Sequence, residues 1–236
     1  LSTCIADYNV AANAQMIKIP ETSKPIDACL GEPMMCVANI VRAVEPKMGD
    51  RIAVIGCGFM GLMVIAGLKS QALGDIVAID LDEKRLEMAV QYGATKTLNP
   101  KNVDVEDASF ELTHGRMYDC IVEITGSLRG LQTALSVAKI SGRGKILAPS
   151  VYSKNETWTE EMAYNMMYRS PIIHVVHPYY TNEYMYTLGI GVDAYVKGVF
   201  PTEEFITHRI PFERVSEGFQ LLDTNPPGYI KGIITF

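Results

Sequence analysis

The chain has 236 residues, 48% of them hydrophobic, which is enough for one large α/β domain or for one domain with pieces of another. Its formal net charge is −6, and no Lys/Arg cluster runs along any segment, so a nucleic-acid partner is not expected. No apolar run reaches the roughly 18 residues of a membrane span, and no basic region precedes an apolar one near Leu1, so a cytosolic location is the default expectation.

In chain order, residues 4 to 19 alternate apolar and polar positions as short strands do, and Pro33 to Val44 is apolar nearly all round, which predicts a buried helix with Pro33 in its first turn. From Asp50 onward apolar strands alternate with amphipathic stretches. The predicted strands are Arg51 to Ile55, Ile76 to Asp80, Thr95 to Leu98, Cys120 to Glu123, Lys145 to Ala148 and Ile172 to Val176. Leu86, Ala89, Val90 and Gly93, and again Leu131, Ala134, Leu135 and Ala138, keep the spacing of helices with one buried face. The fold class is therefore a doubly wound six-stranded parallel sheet. Ile206 to Phe236 reads as a strand, a helix carrying Val215, Phe219 and Leu222, a turn and a last strand. Neither end can form a core alone, and the economical expectation is that the two pair with each other or with further sequence.

The run Arg51 to Gly61 (RIAVIGCGFMG) is the most informative stretch, because a strand, three glycines spaced G-x-G-x-x-G and an apolar helix arrive in that order. Gly56 permits the tight turn, Gly58 lets a pyrophosphate approach the backbone, and Gly61 lets the helix pack on the strand. Phe59 and Met60 would place their backbone N–H groups near that pyrophosphate, at the positive end of the helix. Asp80 ends the second strand nineteen residues beyond Gly61, where an acid hydrogen-bonds the adenosine ribose hydroxyls. Its carboxylate would repel a 2′-phosphate, and Leu81 and Asp82 bring no cation to receive one, so the cofactor is read as NAD rather than NADP. A methyltransferase on a related sheet is the competing reading of the same turn. Thr125 and Gly126 follow the fourth strand and Ser150 follows the fifth, on the edge where such sheets bind ligands.

Five cysteines without a C-x-x-C pair fit neither a disulfide framework nor a zinc knuckle; Cys57 and Cys120 read as small core residues. His174 and His177 would fall on opposite faces of the sixth strand, against a shared metal. Met162, Met166 and Met167, with Tyr164 and Tyr168, have the helical spacing of core residues, a pocket lining or an oligomer contact.

Taken together, MIKIPE, LGEPMMCVANIVRAV, the glycine-turn segment, DLDEKRLEMAVQYGA, DCIVEITGS and the ending from ITHRIPFERV to IITF resemble the medium-chain dehydrogenase/reductase family, in its zinc-dependent polyol and threonine dehydrogenase-like branch. The resemblance implies a Rossmann domain over residues 31–205, with 1–30 and 206–236 as parts of a GroES-like catalytic domain. It implies NAD-linked oxidation of a secondary alcohol or polyol, or the reverse ketone reduction, with zinc polarising the substrate oxygen. It places Arg85 near the adenine, Ser150 at the nicotinamide amide and Glu32 at or beside the zinc, while Thr125 and Gly126, on the ligand edge of the sheet, would neighbour the nicotinamide ribose; the competing role for Glu32 is an acid favouring a helix N-terminus. It also implies a homodimer or homotetramer. The family's other zinc ligands precede the point that Leu1 matches, so the expectation is a cofactor-binding part that alone lacks most of a metal site. An NAD-binding module without catalysis is the alternative.

Overall fold

The computed structural model describes residues 16–140, 143–177 and 183–236. In chain order these form α1 (Gly31–Val44), β1 (Arg51–Ile55), α2 (Phe59–Leu68), β2 (Asp75–Ile79), α3 (Glu83–Tyr92), β3 (Lys96–Leu98), α4 (Val105–Leu112), β4 (Cys120–Glu123), α5 (Leu128–Val137), β5 (Lys145–Leu147), α6 (Glu160–Arg169), β6 (Ile172–His174), α7 (Tyr184–Val196), α8 (Thr202–Phe205), β7 (Ile206–Pro211), α9 (Val215–Thr224) and β8 (Lys231–Thr235). The chain divides into two compact units, one of residues 39–177 and one joining 1–38 with 178–236, with the boundary inside α1.

The 39–177 unit is a six-stranded sheet in the order β3-β2-β1-β4-β5-β6, parallel at every pairing. Apolar runs such as Ile52-Ala53-Val54-Ile55 and Ile76-Val77-Ala78-Ile79 are buried throughout, as strands covered on both faces require. Leu131, Ala134, Leu135 and Ala138 are all buried, as their spacing predicts, and pack with Ile121, Ile146 and Tyr118. On α3 the buried residues are Leu86 and Ala89, whereas Val90 faces solvent. Because consecutive strands run outward from β1 to β3 and then return to β4, the order reverses between β1 and β4. That is the switch point at which open α/β sheets bind ligands beyond the strand carboxyl ends.

The observed strands depart from the sequence reading mainly at their ends: β2, β3 and β5 begin or end one residue away from the predicted limits, and β6 stops at His174 instead of Val176. β6 is the outer strand; its regular register ends with Leu147 opposite His174, and beyond it Ala148 bonds the chain, donating to the His174 carbonyl at 2.9 Å and accepting from the Val176 N–H at 3.4 Å. His177 thus lies beyond the strand, and the opposite-face argument drawn for it from strand parity does not apply. Of the three roles offered for the methionine stripe, core placement holds on α6 for Met162 and fails for Met166, Met167, Tyr164 and Tyr168, which are exposed, the two tyrosine rings stacking at 5.6 Å.

In the other unit β7 pairs with β8, parallel, with α9 as the crossover between them. The C-terminal strand therefore finds its partner in the same C-terminal segment; the strands expected within residues 4 to 19 fall, up to residue 15, outside the described residues. The predicted helix carrying Val215, Phe219 and Leu222 is present as α9, but none of its residues is buried. Lys24 pairs with Glu203 at 2.5 Å and lies over the ring of Tyr195, whose hydroxyl donates to the Pro25 carbonyl at 2.6 Å, so the 24–25 segment is tied to α7 and α8. No described helix is long and apolar enough to cross a membrane.

Candidate cofactor site

At the carboxyl end of β1 the chain turns through Gly56, whose φ of +97° lies in the region that favours glycine; a Cβ there would stand 2.9 Å from the Thr125 methyl. A Cβ on Gly61 would run into the carbonyl oxygen of Gly56, so this helix can approach the strand only without a side chain at that position. At Gly58, by contrast, an added Cβ meets nothing within 4 Å. The backbone before α2 therefore faces open space at the middle glycine while it is closely packed at the other two. This is the division of labour a phosphate-binding turn requires: two glycines for packing, one for ligand approach.

α2 begins at Phe59 and has Gly58 at its N-cap with no side-chain capping bond, so its first N–H groups are not claimed by a cap. Phe59 is buried and Met60 half-buried; packing is the side-chain role the structure gives Phe59. Asp80, just after β2, accepts from the Cys57 N–H at 2.6 Å and from the Asp82 N–H at 2.9 Å, so the carboxylate stands directly beside the glycine turn. Arg85, on the first turn of α3, is close enough to Cys57 for its charge to act on the thiol. Burial, followed by the Asp80 charge, pushes that thiol well above the ordinary cysteine range, and Cys120 is pushed up to about 12, first by burial. Both are inert core thiols, as expected from their places in the sequence.

Beyond β4, Thr125 is exposed and Gly126 half-buried; a Cβ on Gly126 would stand 3.3 Å from the Val151 carbonyl oxygen and 3.7 Å from the Ser150 Cβ. The structure thus brings Gly56, Gly58, Gly61, Asp80, Thr125, Gly126 and Ser150 to one carboxyl edge of one sheet, across the switch point. One residue there has no role in the sequence reading. Glu123, the last residue of β4, is fully buried and accepts from the Thr125 N–H at 2.8 Å, the Thr125 hydroxyl at 2.5 Å and the Tyr152 hydroxyl at 2.5 Å. Burial first, then the bond to Glu123, raises the Tyr152 hydroxyl far above its usual range and keeps it a donor. An acid closing an apolar strand was the available signal; its partner 29 residues away was not visible in the sequence.

Glu32 lies in the first turn of α1, where an acid favours the helix dipole. Its Oε1 accepts from the Cys36 thiol at 3.2 Å, and burial together with this bond pushes the thiol up to about 12. Desolvation lowers the Lys231 ammonium, and the charge of Glu32 partly offsets that. Among the described residues no three His, Cys, Asp or Glu side chains come together to hold a metal, so Glu32 would supply one ligand of a set that needs others.

Residues 60–169 match the zinc-binding dehydrogenase family. The chain is 28% identical over 222 residues to L-threonine 3-dehydrogenase of Bacillus licheniformis, covering 93% of this chain and 61% of that protein. It is 27% identical over 227 residues to alcohol dehydrogenase 1 of Pisum sativum, covering 94% of this chain and 58% of that one. Among solved structures, galactitol-1-phosphate dehydrogenase from Escherichia coli superposes with a TM-score of 0.80 at 19% identity, over 96% of this chain and 66% of that chain; at such identity the likeness is one of fold. The chain spans about three-fifths of the length of these curated relatives.

Proposed function

We propose that this chain, similar over more than nine-tenths of its length to L-threonine 3-dehydrogenase and alcohol dehydrogenase 1, is the cofactor-binding part of an NAD-linked dehydrogenase that oxidises a secondary alcohol or polyol, or reduces the corresponding ketone. Residues 31–205 would be the NAD-binding domain, with 1–30 and 206–236 belonging to the catalytic domain. The observation that carries the reading is the pairing of an open backbone at Gly58 with the Asp80 carboxylate beside it at the switch point.

In this reading the backbone N–H groups at the start of α2, Phe59 and Met60 among them, bind the pyrophosphate. Asp80 receives the adenosine ribose hydroxyls and excludes a 2′-phosphate, and Arg85 lies on the adenine side. Thr125, Gly126 and Ser150 flank the nicotinamide and hold it toward the substrate. The bound dinucleotide supplies a hydride acceptor; the protein supplies orientation and a shielded edge. The matching family is named for zinc; Glu32 would offer one carboxylate ligand to such an ion, which would polarise the substrate oxygen, and among the described residues no three His, Cys, Asp or Glu side chains come together to complete the set. The second reading is an NAD-binding module without catalysis. Zinc content and alcohol turnover of the protein discriminate the two.

The first test is titration of the purified chain with NADH and NADPH by nicotinamide fluorescence, for wild type and Asp80→Ala. NADH is expected to bind more tightly than NADPH, and the variant to lose about tenfold in NADH affinity, the scale of a hydrogen bond to a charged group. A folded wild type that binds neither dinucleotide would refute the reading.

A further inference from the structure

Burying a carboxyl group is unfavourable unless donors replace the lost water, and Glu123 has no exposed surface. Its donors come from two different loops. Oε1 takes both the N–H and the hydroxyl of Thr125, from the loop after β4, and Oε2 takes the hydroxyl of Tyr152, from the loop after β5. An apolar residue would fill the end of a buried strand with less penalty, so what the carboxyl group contributes is directional: it fixes two loops relative to one sheet.

The surroundings are shaped to this cluster. Gly130 on α5 leaves the room it needs, because a Cβ there would stand 2.5 Å from Glu123 Oε1 and closer still to the Thr125 hydroxyl. The loop after β5 has a second tie at Glu156, which accepts from the Leu128 N–H at the start of α5. The Tyr152 ring packs against the core. Between these fixed points lie Thr125, Gly126 and Ser150, and the two loops run close together there: a Cβ on Gly126 would stand 3.3 Å from the Val151 carbonyl oxygen and 3.7 Å from the Ser150 Cβ.

We propose that Glu123 is a positioning residue which, through Tyr152 and Thr125, holds the loops after β4 and β5 in the register that receives the nicotinamide half of the dinucleotide. This rests on the NAD-binding reading above. It separates the site into two halves with different supports: the glycine turn and Asp80 serve the adenosine and pyrophosphate, and the Glu123 cluster serves the nicotinamide. Glu123 and Tyr152 touch neither substrate nor dinucleotide; they act through the loops they hold.

The halves can be measured apart, because ADP-ribose carries the adenosine, pyrophosphate and second ribose but no nicotinamide. Calorimetric titrations of NADH and ADP-ribose are to be compared for wild type, Tyr152→Phe, Glu123→Gln and the double variant, with folding checked by circular dichroism. Tyr152→Phe retains the ring that packs on the core, so the comparison stands on it even where Glu123→Gln fails to fold. NADH affinity is expected to fall about tenfold in each single variant, as for loss of a hydrogen bond to a charged group, while ADP-ribose affinity stays within about twofold. The double variant should be no weaker than the worse single one, because both remove the same link. A folded Tyr152→Phe that weakens both ligands equally, or neither, overturns the positioning role while leaving the cofactor reading intact. A wild type that binds neither ligand overturns both.

Discussion

Two glycines of the same turn make opposite demands. At Gly61 the obstacle to a side chain is the Gly56 carbonyl oxygen, which is backbone and cannot swing away. At Gly58 the space is open and the backbone, at φ −73° and ψ −170°, is one that alanine adopts readily. Gly61→Ala should therefore lower folding stability by about 1–3 kcal/mol, the range for forcing extra atoms into a packed contact, and should weaken NADH binding as a consequence. Gly58→Ala should change stability by no more than about 0.5 kcal/mol, as for an unobstructed site, yet weaken NADH binding because its methyl occupies the approach to the backbone. Urea unfolding alongside NADH titration checks both. If the two variants proved equally unstable, the distinction between packing and approach glycines would be wrong.

Four helices of the parallel-sheet unit start at side-chain caps: Asp82 accepts from Lys84 N–H and Arg85 N–H, Asp104 from Asp107 N–H, Ser127 from Arg129 N–H and Thr159 from Met162 N–H. Asp104→Ala removes a 2.9 Å bond at the start of α4 and should destabilise by about 1 kcal/mol, read as a lower urea midpoint at unchanged slope. α4 is also where the sequence was least legible. Its core side is the short stripe Val105, Ala108 and Leu112, interrupted by the buried Ser109 and set beside the exposed Phe110, so the clearer signal was the cap Asp104 with Glu106 and Asp107 in the first turn. The strands were legible for the opposite reason: β1, β2 and β4 are covered on both faces, so their apolar runs are nearly continuous. β6 reads longer in sequence because Val175 and Val176 are β-formers, whereas its regular pairing stops at His174 and the two bonds to Ala148 carry it further. At the site, the glycine turn and Asp80 could be read because their spacing is local to one βαβ unit. Glu123 could not, because its meaning depends on Tyr152 and Gly130 arriving from elsewhere in the chain.

At the scale of the molecule, the sheet and its flanking helices are also held by charges whose effect depends on pH. Asp119, just before β4, is partly desolvated, which by itself would raise its pKa. The Arg51 N–H at 3.0 Å and the Lys139 ammonium at 2.6 Å outweigh that and leave it below the ordinary aspartate value. A carboxylate whose folded pKa is depressed contributes stability that is fully present above its unfolded pKa, about 3.9, and is lost as pH falls through the lower folded value. Glu45 is shifted the same way by Lys145, but it is exposed, and solvent screening leaves it little to contribute. Asp119→Asn should therefore be less stable than wild type at pH 7, and the difference should persist unchanged down to about pH 5 and shrink only below about pH 3.9. Urea unfolding of the two proteins from pH 7 to pH 3 measures this. Two curves that stay parallel to pH 3 would mean that Asp119 acts through shape alone, as an acceptor whose charge does not matter, and that the acid limb of this fold is set by other carboxylates.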